Sequence, residues 1–199
     1  GLVGGELRVE VLTEGVHSGD ASGIVPSSFR VLRQLLDRID HVANGRVHGD
    51  IFHAPIPAQR MEQAAFAAGV LGDQVFSKFP FTEGMQPVTG NTTELILNRT
   101  WRPALSITGA DGLPAIANAG NVLRANTTVK ISLRLPPICD AVRASAALKE
   151  LLEQAPPYGA RVRFVPDWAA AGWHAPEMPP WLEQAINEAS RHYFNNPAV

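Results

Sequence analysis

The residues best suited to chemistry lie near the start of the chain, where His17 is followed by Ser18, Gly19 and Asp20. The glycine-containing loop places this histidine between a predicted strand and the start of a helix, which leaves its imidazole exposed and mobile. A neutral imidazole N–H in such a position can stabilise a developing oxyanion. A histidine on a surface loop more often has no catalytic role, so this segment alone leaves both interpretations open.

Nucleophilic catalysis has little support in the sequence. Ser18 and Ser28 lie near His17, but a serine nucleophile stands on a sharp strand-to-helix turn, and no Gly-x-Ser-x-Gly motif occurs. Cys139 has no partner nearby in sequence, so we interpret it as a small residue at a helix start. Because it is the single cysteine, an internal disulfide framework and a multi-cysteine zinc site are excluded.

A metal site is a further possibility, since His48, Asp50 and His53 are metal-ligand types at close spacing. A two-metal hydrolase also needs a bridging carboxylate, a general-base glutamate and more ligands. The chain has no Glu-Glu pair, so a polar loop after a helix is the favoured interpretation. A complete small hydrolase that uses these three residues stays as the minor alternative.

Arg134 is a further candidate, for binding a carboxylate. It lies on the polar face of the predicted strand 127–135, whose apolar and polar residues alternate more regularly than anywhere else in the chain. A guanidinium fixed on a strand can hold a carboxylate through two hydrogen bonds. A solvated surface arginine is the commoner alternative.

The elements that position these residues follow from hydrophobic periodicity. In chain order we predict a strand 6–12, a helix 26–39, an irregular insertion 47–90, a strand 93–101 with an extension over 104–108, a strand 127–135, a helix 140–152, a strand 160–165, a loop 167–175 and a helix 180–194. Strands with one apolar face and two amphipathic helices imply an α+β two-layer sandwich. The ferredoxin-like order β-α-β-β-α-β fits best, with an antiparallel four-stranded sheet and two helices on one face; the last helix is surplus to it.

Composition excludes several classes of function. With 17 basic and 19 acidic residues the net charge is −2, which leaves no basic surplus for nucleic acid. No apolar run approaches the about 20 residues that a membrane span needs. Because no signal-peptide pattern opens the chain, we expect a cytoplasmic protein. The first residue is glycine and strand-like sequence follows within a few residues, so we expect a piece of a longer protein.

Three segments in this order carry a family resemblance: V-H-S-G-D-A-S-G-I-V-P-S-S (16–28), A-G-N-V-L (119–123) and S-L-R-L-P-P (132–137). Together they resemble the dimerisation (lid) domain of the zinc-dependent exopeptidases that include carnosinase, aminoacylase and succinyl-diaminopimelate desuccinylase, and most of all the carnosinase-like dipeptidase branch. The resemblance covers about residues 2–166. It implies a lid domain over 1–166 with the insertion at 47–90. Residues 167–199 would then be a linker and the first helix of the returning catalytic domain.

The resemblance also implies roles for individual residues. The histidine at the position of His17 reaches across a dimer and stabilises the tetrahedral intermediate at the partner's reaction centre. The residue at the position of Asn121 contacts substrate, and the arginine at the position of Arg134 holds the substrate's terminal carboxylate. The family's metal ligands lie in a separate catalytic domain: a His-x-Asp strand, a bridging Asp, a Glu-Glu pair and a distal His. All of these are absent from this chain, and the segment from His48 to Asp50 does not replace them because it lies inside the insertion.

We therefore predict a homodimerising, substrate-binding lid fragment of a metal-dependent dipeptidase or amidohydrolase. Two divalent ions, zinc by family likeness, belong to the parent enzyme and none to this chain, which alone should be inactive. The expected partners are a second copy, joined through the first helix and the sheet edge at residues 95–101, the parent's own catalytic domain, and a small peptide or N-acyl amino acid. The alternative is a standalone ferredoxin-like ligand-binding or regulatory module.

Overall fold

The structure is a computed structural model that describes residues 1–198. Its strands are β1 (Leu2–Glu10), β2 (Val16–His17), β3 (Ala104–Asp111), β4 (Val122–Leu123), β5 (Asn126–Arg134) and β6 (Arg161–Ala170). Its α-helices are α1 (Ser18–Ala21), α2 (Ser28–Leu36), α3 (Ala58–Leu71), α4 (Gln74–Ser77), α5 (Thr92–Thr100), α6 (Ala141–Glu153) and α7 (Pro180–Phe194). Short 3₁₀ turns occur at Asp50–Phe52, Ile116–Asn118 and Pro157–Gly159.

Four strands form one antiparallel sheet in the order β3-β5-β1-β6. In chain order the sheet strands are β1, β3, β5 and β6, with α2 between β1 and β3 and α6 between β5 and β6. This is the ferredoxin-like arrangement. The predicted α+β sandwich is therefore confirmed. The strands β2 and β4 form a separate two-stranded ladder outside the sheet.

The core lies between the sheet and its two helices. Along β5 the burial alternates as predicted, with Val129, Ile131 and Leu133 buried on one face. The helices α2 and α6 cover that face, and Leu35 and Leu148 are fully buried there. Burial of each such leucine stabilises the fold by about 2 kcal/mol.

The start of α6 is fixed by a side-chain cap, as the sequence predicts. Oδ1 of Asp140 accepts the backbone N–H groups of Val142 and Arg143, both at 3.0 Å. These two amides have no partner inside the helix, so the carboxylate contributes about 1 kcal/mol to stability. This cap and the buried leucines hold α6 against the strands that carry the candidate residues.

The strand predicted at 93–101 is wrong, because Thr92–Thr100 is the helix α5. A short apolar run is ambiguous between strand and helix, and the deciding signal lies just before it. Oδ1 of Asn91 accepts the N–H of Glu94 at 3.2 Å, the pattern of a helix start in which Asn is followed three residues later by Glu. The second strand of the sheet is instead β3, which the sequence suggested only as an extension, so the edge predicted at residues 95–101 lies at β3.

The loop predicted at 167–175 is also wrong at its start, since β6 continues to Ala170. The pairing of β6 with β1 shifts register between Gly4 and Gly5, opposite Trp168 and Pro166. The shift marks a β-bulge, which bends a strand and breaks its alternation. That break is why the continuation of the strand could not be predicted from an alternating pattern.

The chain divides into two compact units. The first contains Gly1–Ala54 and Trp101–Gly172, which include the sheet, α2 and α6. The second contains residues 55–100 and the segment from Trp173 onward; in it α3 packs against α5, and Nη2 of Arg60 donates to the carbonyl of Ala175 at 2.6 Å. The predicted helix 180–194 is α7, within this second unit. Among residues 1–198, no helix combines the length and the apolar character that a membrane span requires.

Candidate functional site

His17 lies at the junction of β2 and α1, where a short ladder holds the backbone. Val16 and His17 pair with Leu123 and Val122, and the N–H of Ser18 donates to the carbonyl of Asn121 at 2.9 Å. The fold thus brings His17 and Asn121, two of the three predicted site residues, to neighbouring positions. The helix α1 has four residues, so we assign no charge effect to its N-terminus.

The His17 ring is oriented by the next turn of the chain. Its Nδ1 accepts the backbone N–H of Gly19 at 3.2 Å. In a neutral imidazole one nitrogen accepts and the other carries the proton, so this bond assigns the proton to Nε2. The His17 side chain is 64% exposed, and the carboxylate of Asp20 lies 3.8 Å from Nδ1. An exposed imidazole with a proton on Nε2 is a hydrogen-bond donor to a group outside this segment.

Gly19 is required for that orientation. A Cβ added at this position would lie 2.8 Å from Cε1 and 3.0 Å from Nδ1 of His17. Real Cβ contacts are essentially never so short, so any larger residue at 19 moves the ring or the turn. The glycine that the sequence offered as loop flexibility therefore has a steric role.

Arg134 lies at the opposite end of β5 from the segment that carries Asn121. It is the last residue of the strand, it is exposed, and it pairs with Leu2 on one side and Ala104 on the other. A strand from Asn126 to Arg134 spans about 27 Å at a rise of about 3.4 Å per residue. The structure therefore does not bring Arg134 together with His17 and Asn121 within one chain.

The charged neighbour of Arg134 on the same face of β5 is already paired. Nζ of Lys130 donates to Oδ2 of Asp167 and lies 3.9 Å from Oε1 of Glu6. The hydrogen bond from Lys130 to Asp167 is the main reason that the pKa of Lys130 is raised above its ordinary value. Within residues 1–198 no acidic group forms an ion pair with Arg134, which leaves its guanidinium open to an external anion.

Two of the candidate nucleophiles, Ser28 and Cys139, have structural roles. Ser28 is buried, and its hydroxyl shares a 2.8 Å hydrogen bond with the hydroxyl of Thr127. The thiol of Cys139 is buried too and donates to the carbonyl of His53 at 3.2 Å. Burial raises the pKa of Cys139, which keeps the thiol protonated.

The minor alternative of a metal site in the insertion is not supported by the geometry. Nε2 of His53 lies 2.8 Å from the carbonyl of Val47, so that ring nitrogen already has a partner. Asp50 begins a 3₁₀ turn, and the His48 ring lies edge-on to that of His41 with 6.3 Å between the ring centroids. In the part of the chain that the structure describes, no three His, Cys, Asp or Glu side chains are close enough to hold one ion.

A comparison with protein-family models decides the family. The model described as "Peptidase dimerisation domain" matches residues 1–160. The chain belongs to the peptidase dimerisation domain family. The match includes His17, Asn121 and Arg134 and every element of the ferredoxin-like sandwich except β6, which begins at Arg161.

Solved structures show the same fold for the dimerisation domain. The dipeptidase Dug1p of Saccharomyces cerevisiae matches 98% of this chain and 41% of its own, with a TM-score of 0.69 and 17% identity. Human carnosine dipeptidase 1 matches 99% of this chain and 42% of its own, with a TM-score of 0.66 and 17% identity. The M20 family metallo-carboxypeptidase Sso-CP2 of Sulfolobus solfataricus matches 99% of this chain and 50% of its own, with a TM-score of 0.64 and 16% identity.

This chain therefore spans half of the length of these relatives or less. A search of curated protein sequences finds no match to the chain. At this level of identity the solved structures establish the fold, and the roles of individual residues rest on the chemistry of this chain.

Proposed function

We propose that this chain is the lid and dimerisation domain of a metal-dependent dipeptidase or amidohydrolase that cleaves an amide next to a free carboxylate. The observation that carries the proposal is the division of the site along β5. An oriented imidazole donor and Asn121 lie before the strand, and an unpaired guanidinium lies at its end. Each of these groups is suited to bind a substrate whose scissile amide is held outside this chain, by the catalytic domain.

His17 stabilises the oxyanion that forms when the amide carbonyl is attacked. The hydrogen bond from Gly19 to Nδ1 leaves the Nε2 proton free to donate to the substrate oxygen. Asn121, whose backbone joins the turn of His17, contributes a side-chain amide that contacts the same substrate. A neutral N–H donor fits this role because its hydrogen bond becomes stronger as negative charge develops on the substrate oxygen.

Arg134 holds the terminal carboxylate of the substrate. A guanidinium presents a planar pair of N–H groups that matches a carboxylate, and the ordered end of β5 fixes the base of the side chain. Since Lys130 is held by Asp167, Arg134 is the cation on this strand that is available to an anion.

The two groups serve different reaction centres. A dipeptide is about 7 Å long, whereas β5 alone spans about 27 Å. One dipeptide therefore cannot contact His17 and Arg134 of the same chain. In a symmetric dimer, the His17 end of one protomer and the Arg134 end of the other can meet at one centre, so His17 acts across the dimer and Arg134 in its own subunit.

The second protomer pairs through β3 and α2. The strand β3 is an edge of the sheet, and Ile107 on it is 42% exposed on the face that α2 covers. Leu105 and Ile107 line an open groove of about 810 Å³ together with Arg30 and Arg33 of α2. An unpaired edge beside an amphipathic helix fits a two-fold interface, in which each copy extends the sheet of the other.

The metal ions of the parent are held by its catalytic domain. No cluster of three potential ligands occurs in residues 1–198, so the described part of the chain offers no residue set that fits a metal. The metals, two divalent ions with zinc as our proposal, would activate water and polarise the amide carbonyl. The dimerisation domain binds and orients the substrate and stabilises the intermediate.

We also propose the domain division and location that the sequence predicts. Residues 1–166 are the lid, to which the structure adds the end of β6 through Ala170. The residues that follow lead into the catalytic domain, in a cytoplasmic enzyme whose substrate is a small peptide or an N-acyl amino acid. The family match over residues 1–160 supports the assignment of the segment from β1 to α6 to the lid.

The direct test compares this chain with the full-length protein. Each is incubated with dipeptides and with zinc, cobalt or manganese, and the released amino acid is measured. The proposal predicts turnover by the full-length protein and none by this chain. Turnover by the repurified chain that is lost in His48→Ala would show instead a small hydrolase.

A further inference from the structure

Trp168 covers Gly4 on the face of the sheet opposite the helices. The two residues pair across β6 and β1. A Cβ added at Gly4 would lie 2.6 Å from Nε1 of Trp168 and 2.8 Å from the carbonyl of Ile131. Gly4 is buried although it faces away from the core, whereas Trp168 is 56% exposed. The missing side chain therefore lets the indole lie against the backbone of β1 with much of its surface free.

The β-bulge is what directs Trp168 to this place. Gly5 pairs with Pro166 and Gly4 with Trp168, so Asp167 is the extra residue of the bulge. Without the extra residue, Asp167 instead of Trp168 would stand opposite Gly4. The carboxylate of Asp167 accepts from Lys130, which anchors the bulge to β5. Bulges commonly redirect one side chain beside a functional site.

Arg134 lies on the same face and at the same end of the sheet. Gly4 pairs with Ser132 and Leu2 pairs with Arg134, so the indole and the guanidinium flank the start of β1 from opposite sides. Two strand spacings separate β5 from β6, about 10 Å. The indole extends from β6 over β1 at Gly4, so a substrate residue held at Arg134 lies within reach of the ring.

We propose that Trp168 determines specificity in the carboxylate subsite: its ring contacts a large apolar or aromatic side chain on the carboxy-terminal residue of the substrate while Arg134 holds that residue's carboxylate. This inference rests on the proposed function of Arg134. The free face of an indole offers apolar area and a stacking surface, and aromatic pairs are stabilised beyond the burial of their apolar area. Substrates that end in glycine or alanine leave the ring uncovered.

The test uses the full-length enzyme and two dipeptides that differ only in a carboxy-terminal phenylalanine or alanine. For Trp168→Ala, we expect kcat/KM to fall about tenfold for the phenylalanine dipeptide, since a tenfold change corresponds to about 1.4 kcal/mol. For the alanine dipeptide the fall should be below about twofold, because that substrate does not reach the ring. Trp168→Phe, which keeps an aromatic ring, should retain most of the preference.

Two control variants separate this inference from its foundation. Val165→Ala removes a half-exposed apolar side chain from the same strand and should leave the preference unchanged. Arg134→Ala should raise KM for both dipeptides. Suppose that Arg134→Ala raises both KM values, but Trp168→Ala lowers kcat/KM equally for the two dipeptides or changes it for neither. Trp168 then has no role in specificity, and the carboxylate site at Arg134 stands. If Arg134→Ala leaves both KM values unchanged, the carboxylate site is wrong and the role of Trp168 is overturned with it.

Discussion

The backbone N–H of Gly19 donates to Nδ1 of His17 at 3.2 Å, and the same glycine leaves no room for a Cβ beside the ring. One residue thus sets both the tautomer and the orientation of the candidate oxyanion donor. The consequence is that the chemistry of His17 depends on a neighbour that has no functional group of its own.

Removal of His17 should act on the transition state. An oxyanion donor gains strength as charge develops, so His17→Ala in the full-length enzyme should lower kcat by about 10²–10³-fold with a small change in KM. Steady-state kinetics with a dipeptide measures this. A change confined to KM would show that the imidazole binds the ground state instead.

Gly19→Ala should reproduce part of that loss although the imidazole itself is kept. The added methyl group displaces the ring, so we expect kcat to fall while the enzyme stays folded. Gly69→Ala is the matched control, because a Cβ there meets nothing within 4 Å and Gly69 lies inside α3. Equal activity of the Gly19 and Gly69 variants would remove the steric role of Gly19.

Arg134 should fail in a different way from His17. A carboxylate is held in the ground state and the transition state alike, so Arg134→Ala should raise KM strongly and change kcat little. Arg134→Lys should recover only part of the affinity, because an ammonium cannot replace the planar fork. Arg163→Ala, another exposed strand arginine, serves as the control and should leave KM unchanged.

The interface can be tested with two edge residues of similar exposure. Ile107 on β3 is 42% exposed and Val165 on β6 is 44% exposed, and the two strands are opposite edges of the sheet. Ile107→Asp should dissociate the dimer at micromolar concentration, because it places an unpaired charge in an interface of at least about 1,000 Å². Val165→Asp should leave the dimer intact. Sedimentation velocity would contradict the interface if the two variants sedimented alike.

Glu153 gives a prediction for stability. Burial by itself favours its neutral form, but hydrogen bonds from Lys149 at 2.5 Å and from the N–H of Phe164 at 2.7 Å outweigh that effect and hold the pKa of Glu153 below its ordinary value. The ionised carboxylate therefore stabilises the fold at neutral pH, and this contribution is lost as pH falls through the lowered pKa.

Glu153→Gln should accordingly lower the free energy of unfolding near pH 7. The difference from the wild-type chain should shrink as pH falls below the ordinary glutamate pKa of 4.5 and through the lowered pKa of Glu153. Urea denaturation at several pH values measures it. Glu150→Gln, on the exposed side of the same helix, is the control and should show a much smaller pH-dependent difference. A difference for Glu153→Gln that does not change with pH would contradict the assigned cause.

Local patterns predicted the fold because most elements here agree with their own periodicity. The regular alternation of β5 and the Asp140 cap of α6 gave the sheet face and the second helix directly. The errors arose where the local signal was ambiguous. Leu95 to Leu97 form an uninterrupted apolar run that suits either state, and the bulge opposite Gly4 hides the continuation of β6.

The site could be predicted only in part. A resemblance named His17, Asn121 and Arg134, and the structure brings the first two together through the ladder of β2 and β4. Their separation from Arg134 depends on the length of β5 and on the end of that strand at which each residue lies. No local motif carries this information. The role of Gly4 under Trp168 depends on a register shift between distant strands, so it too needed the three-dimensional structure.

The central claim, that His17 acts in the partner's centre while Arg134 acts in its own, is tested most directly by mixing two inactive enzymes. Full-length His17→Ala and Arg134→Ala proteins are combined under conditions in which subunits exchange, and activity is measured at a substrate concentration far below the KM of the Arg134 variant. One centre in each mixed dimer then contains an intact Arg134 and receives an intact His17, so a random 1:1 mixture should regain about one quarter of the wild-type activity. If exchange is demonstrated and the mixture stays as inactive as its components, His17 and Arg134 do not divide between subunits in this way.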